Sequence, residues 1–170
     1  FKGFLIVYQK HMSHHFMKND DLSWLKKMKN CILIRNPKYV INSYIKKYNI
    51  EDVYQLGYVQ QLEIYNYLKK YNFENPIILD ASDILNNPKH MLEKLCNKLN
   101  INFTNHMLSW PKGGRKTDGV WATHWYENVI NSTGFIKPKY KKIKIDSQLC
   151  HIYKKCMQDY EVLYDKRLKI

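Results

Sequence analysis

Three short apolar runs, Phe4 to Tyr8 (FLIVY), Cys31 to Ile34 (CILI) and Pro76 to Asp80 (PIILD), alternate with longer stretches whose apolar residues recur at helical spacing. Runs of that length, rich in β-branched residues, read as strands buried within a sheet. Strands that alternate with amphipathic helices predict a parallel α/β sheet flanked by helices, because a parallel neighbour is reached only by a crossover. The expected helices cover Asp20 to Lys29, with Leu22, Leu25 and Met28 on one face, and a segment opened by Pro37 with Val40, Ile41, Tyr44 and Ile45 inward. Proline suits a first helical turn, where its missing N–H has no partner to lose. A long helix is expected from Glu51 to Tyr71, its apolar stripe running through Val53, Leu56, Val59, Leu62, Ile64, Tyr67 and Leu68. Others are expected from Asn87 to Leu99, near Trp121 to Ile130, and from Ser147 to Leu163. The expectation is one three-layer α/β domain over residues 1–170, with no internal repeat.

Composition narrows the class. Hydrophobic residues at 45% and aromatics at 14% exclude a disordered chain. No apolar run approaches the ~18 residues that a transmembrane helix needs. A net charge of +13 suggests an anionic partner. Lysine, asparagine, isoleucine and tyrosine are abundant together, however, as biased codon usage would make them. The run Lys137 to Lys144 (KPKYKKIK) therefore reads as a solvated loop, and no nucleic-acid partner is expected. The four cysteines show no paired spacing and are expected as buried free thiols, which suits a reducing, cytoplasmic compartment. The seven histidines lack metal-ligand spacing, so no metal is expected. The chain opens on Phe1 rather than Met, in the middle of what reads as structure, and is expected to be a piece of a longer protein.

The most informative stretch is Ile32 to Lys46 (ILIRNPKYVINSYIK). Arg35 follows directly on an expected strand, and Ser43 lies eight residues later on the next helix. Open α/β sheets bind ligands at the carboxyl ends of their strands. An arginine there offers a planar fork to phosphate, and a hydroxyl on the helix can donate one more hydrogen bond. Either residue alone would read as ordinary surface.

The whole string resembles the 3′-phosphate-binding motif of the sulfotransferases that use 3′-phosphoadenylyl sulfate (PAPS), a family with the P-loop nucleoside triphosphate hydrolase type of fold. Three further segments follow in that family's order. Pro76 to Asn100 resembles its strand, Asn-Pro turn and helix; Asn102 to Trp110 with Gly119 to Phe135 resembles a bacterial-type signature (MLSW, HWY, STGF); Arg115-Lys116 before Gly119-Val120-Trp121 is similar to its nucleotide-closing loop. That loop departs from the pattern at Thr117 and Val120. The resemblance implies that Arg35 and Ser43 bind the 3′-phosphate of PAPS, with Arg115 and Lys116 contributing to the same nucleotide. It implies transfer of a sulfuryl group to a hydroxyl or amine on a small-molecule acceptor, without a metal.

The loop Lys10 to Phe16 (KHMSHHF) stands where the family has its Lys-Thr-His loop. Alignment on Lys10 puts Met12 at the place of the catalytic histidine, so the base is expected at His14 or His15. Histidine can accept a proton at neutral pH without large tuning. His11 is expected to face along the sheet edge instead. Neither the family's phosphosulfate loop nor a GxxxxGK[ST] motif occurs in the sequence, which suggests that the first βα unit of the fold is missing. Two rival readings stand beside this one: a nucleotide kinase-like enzyme of the same broad fold, and a non-catalytic nucleotide- or partner-binding module.

Overall fold

In the computed structural model the described residues are 6–71, 75–115, 118–120, 126–138 and 142–169. At their centre lies a two-stranded parallel sheet of β1 (Cys31–Ile34) and β2 (Ile77–Asp80), paired in register from Cys31 with Ile77 to Ile34 with Asp80. Both strands stand where the apolar runs predict them. Strand β1 is buried on alternate residues only: Ile32 and Ile34 face inward, while Leu33 is 57% exposed.

The third expected strand is not formed in its described part. Ile6, Val7 and Tyr8 adopt no regular structure and are all exposed, whereas Phe4 and Leu5 lie outside the described residues. An apolar run becomes a strand only against a neighbouring strand, and β1 meets only β2 among the described residues.

Helix α1 (Pro37–Tyr44) starts one turn beyond β1, with Pro37 in its first turn and the Asn36 side chain accepting from the Lys38 N–H at 3.0 Å. The long helix expected over 51–71 is divided. Residues Val53–Leu56 form a 3-10 turn, Gly57 takes a left-handed conformation at φ 77°, and α2 runs Tyr58–Lys70. Asp52 and Gln55 close a reciprocal cap at the start of the 3-10 turn. The helix expected over 20–29 contracts to a 3-10 turn, Ser23–Lys27. Asp21 accepts from the Ser23 N–H at its start, and the Asn30 side-chain amide donates to the Leu25 and Met28 carbonyls at its end.

Asp80 caps a short helix that the sequence did not announce, α3 (Ala81–Asn86), followed by α4 (Pro88–Leu99). Past a short α5 (Glu127–Ile130), Asp146 caps a 3-10 turn that leads into α6 (Cys150–Asp165). Helices α2 and α6 pack together over one face of the sheet. The core there joins Ile32, Ile34 and Ile78 to Tyr58 and Tyr65 of α2 and to Ile152, Cys156, Tyr160 and Leu163 of α6. The chain beyond α6 returns to the sheet, where the Leu168 N–H donates to the Ile78 carbonyl at 2.8 Å. All four cysteines are free, but only Cys96 and Cys156 are buried; Cys31 and Cys150 are exposed, contrary to expectation. Cys31 opens the strand at one of its exposed alternate positions, and Cys150 stands at the start of α6. Among the described residues, no helix is long and apolar enough to cross a membrane.

Candidate active site

The carboxyl end of β1 opens on a cleft of about 1310 Å3. Its first wall is the strand end and the helix that follows: Arg35, then Val40, Ser43 and Tyr44 of α1. Asn36 and Pro37 turn the chain sharply from strand to helix, so that residues eight apart share this wall. Arg35 and Ser43 are both exposed and open to a ligand. The Arg35 backbone is fixed from below, since the buried Tyr58 hydroxyl donates to its carbonyl at 2.7 Å.

The second wall is the segment from Lys10 to Trp24. Lys10, His14 and His15 line the same cleft as Arg35 and Ser43. Residues Ser13–His15 form a 3-10 turn, and the two imidazoles meet edge to face at 4.3 Å between centroids. His14 is half-buried and His15 exposed. Burial, and then the nearby charge of His15, hold His14 below the usual histidine range. His14 thus favours its neutral, proton-accepting form at neutral pH. The Lys10 ammonium lies 5.5 Å from the centroid of the Tyr126 ring, which also lines the cleft.

His11 departs from expectation, for it too lines the cleft. Its ring packs against Trp24 at 5.0 Å and Phe16 at 5.9 Å, and Nε2 lies 3.2 Å from Gln9 Oε1. Aromatic packing, rather than the sheet edge, determines its direction. Asp20 and Asp21 bring negative charge to this wall, but local bonds engage both. Asp20 Oδ2 accepts from the Met17 N–H at 2.7 Å, and Asp21 accepts from the N–H and the hydroxyl of Ser23. Arg115 does not line the cleft. It sits in an exposed turn where its N–H donates to Asp118 Oδ2 at 2.8 Å, and Lys116 lies outside the described residues.

A family model described as a sulfotransferase domain matches residues 4–164. The chain belongs to the sulfotransferase family. Its fold is similar to that of the sulfotransferase domain from the curacin biosynthetic pathway, with a TM-score of 0.55 at 20% identity, over 78% of this chain and 53% of that one. Two curated proteins of Arabidopsis thaliana are also similar. Branched-chain-amino-acid aminotransferase-like protein 1 is 35% identical over 78% of this chain and 23% of its own length. Branched-chain-amino-acid aminotransferase-like protein 2 is 31% identical over 91% of this chain and 27% of its own length. The chain spans about a quarter of these relatives, and their names describe those proteins as wholes.

Within this sulfotransferase-family chain, the two signature segments MLSW and STGF come together. Ser109 bridges Gly134 in antiparallel fashion, the Trp110 N–H donates to the Thr133 carbonyl at 3.0 Å, and the Trp110 indole N–H lies 3.2 Å from Ser132 Oγ. A Cβ at Gly134 would stand 3.1 Å from the Leu108 carbonyl oxygen, which explains glycine there. Sequence reasoning missed Gly57 and Tyr58, which touch the two walls of the cleft from beneath. A signal for Gly57 was present, because a glycine inside a helical pattern weakens the helix there. Nothing in local sequence marks Tyr58 as the partner of a carbonyl 23 residues away.

Proposed function

We propose that this chain takes part in transferring a sulfuryl group from PAPS to a hydroxyl or amine of a small-molecule acceptor. The observation that carries the proposal is the convergence of Lys10, His14 and His15 with Arg35 and Ser43 on one cleft, in a chain of the sulfotransferase family. The cleft is roomy enough for a nucleotide, and its exposed guanidinium and hydroxyl suit a phosphate. In this reading Arg35 and Ser43 hold the 3′-phosphate. Lys10 offsets the charge that builds on the departing phosphate oxygen. Neutral His14, with His15 beside it, takes the proton of the acceptor as its oxygen or nitrogen bonds to sulfur and the bond from sulfur to the phosphate oxygen breaks. Adenosine 3′,5′-bisphosphate (PAP) leaves with the electron pair. Positioning and charge neutralisation supply the catalysis, with no covalent enzyme intermediate. A P-loop type of fold, with a loop that holds the phosphosulfate end of PAPS, belongs to this proposal. Arg115 and Lys116 belong to it as nucleotide contacts made when their loop closes.

The test is PAP binding by calorimetry or thermal shift. Native protein is expected to bind PAP, and Arg35→Ala to weaken it by about 10- to 100-fold, the range for losing a charged hydrogen-bonding group. Equal PAP affinity in the variant overturns the assignment. Stabilisation by ATP but not by PAP would favour the kinase-like reading instead.

A further inference from the structure

We propose that Gly57 and Tyr58, adjacent at the start of α2, are positioning residues that set the two walls of the cleft relative to each other. Gly57 seats the histidine turn, and Tyr58 seats the end of β1. The inference rests on the sulfuryl-transfer reading only for what the walls do, not for how they are held.

Gly57 has φ 77°, a conformation that L side chains rarely adopt. A Cβ built there would stand 3.0 Å from the Ser13 Cβ and 3.1 Å from the His14 nitrogen. The second of these is backbone, so the conflict cannot be relieved by a rotamer change. The turn Ser13–His15 lies on bare backbone because position 57 has no side chain. Any other residue pushes the turn, and His14 with it, away from α2.

One residue on, Tyr58 is only 3% exposed and belongs to the core with Ile32 and Ile34. Burial pushes its phenol well above the usual range, so the hydroxyl stays protonated and donates to the Arg35 carbonyl at 2.7 Å. Strand β1 ends at Ile34, so among the described residues no strand pairing extends to the Arg35 peptide. Consecutive Cα atoms are separated by ~3.8 Å, so a single peptide unit spans the seats of the two walls. That unit is itself held. The Gln60 side-chain amide donates to the Tyr54 carbonyl, and Gln55 Oε1 accepts from the Glu51 and Asp52 N–H groups.

The experiment follows the His14 imidazole titration by NMR, the Arg35 and Asn36 amide resonances, and PAP affinity, in Gly57→Ala, Gly57→Asn and Tyr58→Phe. Asparagine tolerates positive φ better than alanine, so Gly57→Asn separates the contact from backbone strain and guards against loss of folding. Both Gly57 variants are expected to raise the His14 midpoint toward the ordinary value of about 6.5 as the turn loses its burial, with PAP affinity within about twofold of native. Tyr58→Phe keeps the ring and loses the hydrogen bond. It is expected to shift the Arg35 and Asn36 amides and weaken PAP about tenfold, with the His14 midpoint unchanged. A native His14 midpoint in both Gly57 variants, or native Arg35 amides in Tyr58→Phe, overturns the inference. If native protein binds no PAP, the functional reading fails, while the His14 and amide measurements still decide this one.

Discussion

His14 shows how a residue of ordinary chemistry acquires a particular one. The sequence presents two adjacent histidines; the fold half-buries one and leaves the other in solvent. Burial is the larger cause of the lowered His14 pKa, and the charge of His15 the smaller. His15→Ala removes the second cause and is expected to raise the His14 midpoint partway toward about 6.5, read by imidazole NMR. An unchanged midpoint would show that burial acts alone. The sign for stability follows from linkage. The unfolded chain holds this proton more tightly than the folded one, so His14 destabilises the fold as pH falls from about 6.5 through its lowered native value, and contributes nothing above. If His14 is the base, the acid limb of turnover falls below that same figure. Arg35 is a contrasting case. Its position was legible in sequence because strand, arginine, Asn-Pro and helix are consecutive, and local geometry alone carries them to one edge.

At the scale of elements, α1 is the clearest case of sequence acting directly. Asn36 caps it, Pro37 starts it, and Ile41 is its buried anchor. Asn36→Ala leaves the Lys38 N–H without its side-chain acceptor and is expected to lower stability by about 1 kcal/mol. Urea unfolding at constant slope checks this; a midpoint equal to native would mean that water replaces the cap without loss. Other elements were less legible. The apolar stripe from Val53 to Leu68 has a helical period throughout, and period does not reveal that Gly57 turns left-handed inside it. The turn that approaches it most closely lies 43 residues earlier, at His14. Helix α3 was not announced because six residues are too few for a period, and its cap comes from the last residue of β2.

At the scale of the molecule, α6 is the element on which the rest depends. Leu163 is fully buried in the core shared with β1, β2 and α2. Leu163→Ala is expected to cost ~2–5 kcal/mol, the range for a buried leucine that leaves a cavity. Calorimetry or denaturant unfolding measures it, and a loss below about 1 kcal/mol would mean that the core refills the space. The same helix completes a buried polar pair, in which the Tyr160 hydroxyl donates to Asp80 Oδ2 at 2.9 Å. Just beyond it, Arg167 Nε pairs with Asp83 Oδ2 at 2.7 Å. These contacts join residues about 80 positions apart, and no local pattern encodes them. What the sequence determined by itself is what local stereochemistry can determine: the two strands, the proline-started helices, the caps, and Arg35 and Ser43 on one strand-to-helix corner. Tertiary structure decided the rest. Whether the run ending at Tyr8 becomes a strand depends on a neighbour to bond with. Which histidine is shielded depends on what packs on the turn, and His11 faces the cleft because Trp24 and Phe16 hold it there. Each is a question of distant groups meeting, and hydrogen bonding and burial answer it only once the chain has closed.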